Sequence, residues 1–161
     1  MIKRILVPID GSEHSTRAVT FATELAACAN ASLSFIHVLT RVWAREPLER
    51  YVAFLESAPN PDLVEIESIR KTLAKSGEAE GIELLEEAKG VAEGLGVEDV
   101  TTLLKDGDAS TAIVRQVNNA TGGYDVVILG RRGIGGLKGL VVGSVSQKVS
   151  AMADCTVVMV N

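Results

Sequence analysis

The run Val126-Val127-Ile128-Leu129 is apolar on four successive positions, and that continuity constrains the fold more than any other feature of the chain. A strand with one face in water alternates apolar and polar residues, whereas one that is apolar throughout must be covered on both faces. Comparable runs of strand length recur at residues 5–9, 33–39, 100–104 and 156–160. Between them lie patterns of helical period. Residues 15–29 align Ala18, Phe21 or Ala22, Leu25 and Ala29, and residues 80–95 align Ile82, Leu85, Ala88 or Lys89, and Ala92. Residues 109–120 carry Ile113, Val114 and Val117, and residues 144–152 carry Val145, Val149 and Met152. Strands alternating with helices of these lengths mean βαβ units with right-handed crossovers. The expectation is an α/β fold: a five-stranded, parallel, doubly wound sheet with helices on both faces and the last strand at an edge.

A chain of 161 residues is expected to form one domain, 1–161, able to bury its own core. Residues 41–81 break the alternation. They hold Pro47, Pro59-Asn60-Pro61 and two amphipathic pieces, near 46–56 and 62–75. That is too long for a structureless connection, so a helical excursion at about 41–80 is expected, beside the sheet edge or over the cleft. The net charge of -5 excludes the basic stripe of a nucleic-acid binder. No stretch is apolar for the length a membrane span needs, and MIKRILVPID is too short and wrongly flanked for a signal segment. A cytoplasmic protein is the expectation. Cys28 and Cys155 form no CxxC pair and read as small buried hydrophobes.

Function is written chiefly in GRRGIGGLKGLVVGSVSQKVS, residues 130–150, which follows the fourth expected strand. Ligands of open α/β sheets bind beyond the carboxyl ends of strands where strand order reverses. Two strand ends carry suitable residues: Pro8-Ile9-Asp10-Gly11-Ser12 and Gly130-Arg131-Arg132-Gly133. Gly130 and Gly133 allow close backbone approach to an anion and can offer amides from left-handed conformations. Ser144 is the expected N-cap of the last helix, whose first-turn amides face outward. A polyphosphate between these places would receive amides from both sides, with Arg132 as a cation and Lys138 within the loop. Neither G-x-x-x-x-G-K-[ST] nor G-x-G-x-x-G occurs here.

Gly130-x2-Gly133-x9-Gly143-Ser144 is similar to the G-2x-G-9x-G-[ST] ATP-binding motif of the universal stress protein family. ILVPIDGS, FIHVL and LKGLVVGSVSQKV also resemble family sequence, in the same order, and the resemblance fails only across about residues 41–78. It implies a Rossmann-like fold of the adenine nucleotide alpha hydrolase-like kind. It implies ATP, or ADP or AMP, as ligand, with Mg2+ held mainly by the phosphates, and a homodimer. Residue by residue, it places Asp10 at the adenosine end with Pro8 near it, and the backbone of Val38 at the adenine edge. Leu129 and Gly130 fall by the ribose and first phosphate, and Arg132, Gly133, Gly143, Ser144, Val145 and Ser146 along the phosphates. The chain departs from the family at Met152-Ala153-Asp154-Cys155-Thr156, which lacks both prolines of a His-Ala-Pro-Cys-Pro stretch. That departure bears on how the last strand is entered, not on the phosphate site. An uncovered Val-Val-Met-Val edge invites aggregation, and pairing of the C-terminal strand with a two-fold mate would cover it.

Asp10 has two readings, a ligand to ribose hydroxyls or water-bound Mg2+, or a turn aspartate capping the next helix. His14 and His37 show neither triad nor metal spacing, and the acidic run 78–87 reads as a solvated helix face. No catalytic residue and no metal ligand is assigned. The expected function is an ATP-binding regulatory or stress-response protein whose occupancy presents a surface to a partner. The alternatives are a slow ATPase or phosphotransfer enzyme, for which no water-positioning group stands out, and a scaffold that binds no nucleotide.

Overall fold

Ile5, Leu6 and Val7 are all fully buried, as are Val127 and Ile128, so the two runs that are apolar on successive positions do lie covered on both faces. The computed structural model describes residues 1–40, 52–57, 59, 63–133 and 142–161. In chain order the elements are β1 (Arg4–Pro8), α1 (Glu13–Ala29), β2 (Ser32–Leu39), α2 (Leu63–Gly94), β3 (Val100–Asp106), α3 (Ala109–Asn119), β4 (Val126–Gly130), α4 (Ser144–Met152) and β5 (Thr156–Val160). The sheet is parallel throughout, in the order β3-β2-β1-β4-β5. β5 is therefore an edge strand, as its position at the end of the chain suggested.

The odd and even positions of each central strand serve different helices. Ile5, Val7, Leu33, Phe35, Val126 and Ile128 pack with Ala18, Ala22 and Ala26 of α1 and Leu85, Ala88 and Ala92 of α2. Leu6, Ile36, Val38, Val127 and Leu129 pack with Ile113 and Val117 of α3 and Val149 of α4. The architecture is a doubly wound α/β sandwich, and each fully buried aliphatic side chain stabilises it by about 1.5–3 kcal/mol. α1 begins at Ser12, whose hydroxyl accepts the Ser15 amide at 3.2 Å, and ends at Asn30 in a left-handed conformation (φ 51°).

Two expectations change. The amphipathic pieces at 62–75 and 80–95 are a single helix, α2, of 32 residues, about 48 Å long at the usual rise per residue. Gly77 and Gly81 lie within it, and Gly81 is where the helix backbone presses on the sheet. A Cβ there would lie 2.8 Å from His37 Cδ2 and 3.0 Å from Leu104 Cδ1. From Gly81 back toward its N-terminus the helix therefore runs toward the carboxyl ends of β2 and β3. Residues 52–56 are helical beside it, where Val52 and Ile66 are buried and Glu56 pairs with Arg70. Cys28 is exposed rather than buried, on the outer side of α1, and Cys155 is half-buried.

Candidate functional site

Strand order reverses between β1 and β4, which pair through Ile5 with Val126 and Leu6 with Val127. The chain leaves β1 one way, through β2 to β3, and returns to the other side of β1 as β4. The helical connections diverge at that point and open a crevice at the carboxyl edge. Three segments meet there: the turn 8–12, the loop 130–133 and the first turn of α4.

The turn after β1 is built by its own side chains. Asp10 Oδ1 accepts the Ser12 amide at 3.0 Å and the Asp10 amide donates to the buried Ser15 hydroxyl at 3.2 Å. Gly11 between them has φ +78°, a conformation other residues adopt at a cost. The turn reading of Asp10 is therefore realised locally, with Ser12 rather than Asp10 capping α1. Its other oxygen, Oδ2, faces the loop, and a Cβ added to Gly133 would run into it.

Gly130 is required by proximity of another kind. A Cβ there would stand 2.7 Å from His14 C and 2.9 Å from both His14 Cβ and His14 O, in the first turn of α1. Among the described residues the left-handed glycines lie elsewhere, at 11, 96, 107, 122 and 123. Gly130 and Gly133 therefore do not present amides from positive φ, which corrects that expectation; at both the requirement is the absence of a Cβ at a close crossing. The N-cap of α4 also differs from expectation. It is Gly143 (φ -71°, ψ 152°), and Ser144 is the exposed first helical residue. The Gly143 amide donates to Arg131 O at 2.9 Å, so this amide is turned inward. With no side-chain cap on α4, the amides of Ser144, Val145 and Ser146 belong to a first turn that has no intrahelical acceptors.

Asp10, Gly130, Arg132, Gly133, Gly143 and Ser146 are thus brought into one cluster. Pro8 ends β1, level with Ile36 of β2, and Val38 lies two residues further along β2. The side chains of Val38 and Leu129 are buried in the second core, leaving only their backbone groups for a ligand. Val145 is half-buried against that core. Lys138 lies outside the described residues. Of the two arginines, Arg131 turns its Nη1 to Asn161 Oδ1 at 2.7 Å. Arg132 stays on the loop, and its Nε is buried without a hydrogen-bond partner among the described residues.

Sequence reading passed over Gly11, Ser12 and Ser15 as site residues; the signal available was the Asp-Gly-Ser turn directly ahead of a helical pattern. On the same edge, after β3, Asp108 N-caps α3. The Thr111 hydroxyl, then the Ser110 hydroxyl and the Thr111 amide, hold its carboxyl well below the usual carboxylate range, with Lys148 Nζ at 3.5 Å.

The chain matches the model of the Universal stress protein family across residues 1–161. It is 34% identical over 160 residues to Universal stress protein YxiE of Bacillus subtilis (strain 168), covering 99% of each. Among solved structures it is similar to the universal stress protein UspA from Lactobacillus plantarum, with TM-score 0.79, 19% identity and coverage of 99% and 98%. It is similar also to a universal stress protein in complex with cAMP, with TM-score 0.67, 22% identity and coverage of 99% and 97%. The universal stress protein from Archaeoglobus fulgidus in complex with dAMP gives TM-score 0.59, 17% identity and full coverage of both chains. These structures share the Rossmann-like fold. With the family model matched from end to end and a relative at 34% identity along its whole length, the chain belongs to the universal stress protein family.

Proposed function

We propose that the chain is an adenine-nucleotide-binding regulatory protein whose ligand is ATP, or ADP or AMP, with Mg2+ carried chiefly by the phosphates. The observation that carries this reading is the Nε of Arg132, buried on the glycine loop at the switch point with no acceptor among the described residues. A buried donor left unsatisfied costs about 1–3 kcal/mol, more when charged, and an anionic ligand on the loop removes that cost. The absence of room for a Cβ at Gly130 and Gly133 keeps the loop backbone close to α1 and to Asp10. Solved relatives in complex with cAMP and dAMP support adenine as the base.

In this reading Pro8, Asp10 and the backbone of Val38 hold the adenosine, and Leu129 and Gly130 meet the ribose and first phosphate through their backbones. Arg132, Gly133, Gly143, Ser144, Val145 and Ser146 surround the remaining phosphates. Nucleotide at a hundred times its dissociation constant adds about 2.7 kcal/mol to the folded state, enough to bias a loop or surface that a partner reads. The edge position of β5 among the described strands supports a homodimer formed through that strand.

The test is mass spectrometry of small molecules released from the freshly purified protein, paired with calorimetric titration of ATP and Mg2+. Released adenine nucleotide or micromolar binding is expected; neither appearing overturns the proposal. Phosphate release faster than about one per second would make the protein an enzyme instead.

A further inference from the structure

Three successive carbonyls at the tip of β4 are each taken by a different donor. Gly130 O accepts from the Ser146 hydroxyl at 2.8 Å, Arg131 O from the Gly143 amide at 2.9 Å, and Arg132 O from the Ser12 hydroxyl at 3.3 Å. The peptides here are trans, so within each unit the carbonyl and the N–H point in opposite directions. Drawing the carbonyls of Arg131 and Arg132 onto the N-termini of α4 and α1 turns the N–H groups of Arg132 and Gly133 the other way. At this point of the loop Gly133 is exposed. The preceding unit behaves differently, because the Arg131 N–H continues the sheet ladder to Val160 O at 2.8 Å.

From this arrangement we infer that Ser12 and Ser146 are positioning residues for anion recognition: the Ser12 hydroxyl on Arg132 O holds the Gly133 amide outward, while the Ser146 hydroxyl on Gly130 O ties the first turn of α4 to the loop base, so that the Gly143 amide stays on Arg131 O and the Arg132 amide is held outward too before any ligand arrives. The resemblance sets Ser146 along the phosphates; its side chain is 4% exposed and donates to Gly130 O, which leaves its backbone amide for that role. The Ser12 hydroxyl has a double task, accepting the Ser15 amide as the cap of α1 while donating to Arg132 O. A single residue thereby joins the start of α1 to a loop 120 positions later. Aligned amides held in advance bind an anion without reorganising at the moment of contact, which is the source of their strength in such concave sites. The identity of the anion rests on the nucleotide reading above; the clamp itself does not.

The experiment titrates ATP with Mg2+, adenosine and inorganic tripolyphosphate into 15N-labelled protein and its Ser12→Ala, Ser146→Ala, Ser12→Thr and Ser146→Thr variants. Amide signals of residues 131–133 are followed, and the rest of each spectrum reports whether the variant is folded. ATP and tripolyphosphate are expected to move the Arg132 and Gly133 signals and to leave Arg131 in place. Each alanine variant should weaken both ligands by about three- to tenfold, the worth of one hydrogen bond, with adenosine unchanged and threonine restoring affinity. Alanine variants that bind as the wild type does, or that lose adenosine in parallel, overturn the clamp, as does a Gly133 amide that no phosphate moves. Tripolyphosphate shifting these amides while ATP and adenosine do nothing overturns the nucleotide reading and upholds the clamp.

Discussion

Replacing Gly130 and Gly133 by alanine, one at a time, separates the architectural glycine from the ligand-facing one. A Cβ at residue 130 meets His14 C at 2.7 Å and His14 O at 2.9 Å, whereas carbon atoms are at ease at about 3.5–4.0 Å. Those are backbone atoms in the first turn of α1, fastened through Ser12 to the loop, so the turn must shift by roughly the missing 0.8 Å. Overpacking of this kind costs about 1–3 kcal/mol, which in a domain of this size lowers Tm by about 2–12 °C. At Gly133 the obstruction is Asp10 Oδ2, the end of a side chain able to rotate aside, so the cost to folding is about 1 kcal/mol or less. Moving Asp10 and crowding the loop mouth should instead weaken ATP about tenfold, as losing one charge-assisted hydrogen bond does. Scanning fluorimetry gives the first quantity and calorimetry the second. Gly130→Ala melting with the wild type, or Gly133→Ala proving the less stable of the two, would refute the reasoning.

Glycines along α2 should divide by sign: Gly77→Ala and Gly90→Ala, where a Cβ meets nothing within 4 Å, are expected to raise stability by about 0.5–1 kcal/mol. Gly81→Ala, against His37 and Leu104, should lower it, and urea melts check both. The depressed Asp108 carboxyl stabilises the fold above the ordinary aspartate pKa of about 3.9, and that stability is lost as pH falls through its lower folded value. Asp108→Asn should therefore flatten the fall in melting temperature between neutral pH and pH ~3. Burial pushes the Cys155 thiol up, followed by smaller effects, so alkylation at neutral pH should label exposed Cys28 well before Cys155, as peptide mass mapping would report.

Much of the fold was legible because hydrophobic periodicity is local. Continuous apolar runs at 5–9 and 126–129 required cover on both faces, and the parallel, doubly wound sheet follows from strands alternating with helices. The Asp-Gly-Ser turn and the glycine spacing likewise marked two strand ends that the fold brings into contact. Ser12 was visible as turn chemistry, but its bond to Arg132 O spans 120 residues and exists only because β4 returns beside β1. The same is true of Gly130, whose neighbour is the start of α1, and of Gly81, where α2 meets His37 and Leu104 of the sheet.

By itself the sequence determined which segments are buried, which way the sheet runs, and which loops are rich enough in glycine and serine to receive an anion. Tertiary structure alone decided which atoms of those loops face each other. Side-chain period is set within a few residues, whereas the direction of a loop amide depends on what holds its carbonyl, and those partners arrive from helices far away along the chain.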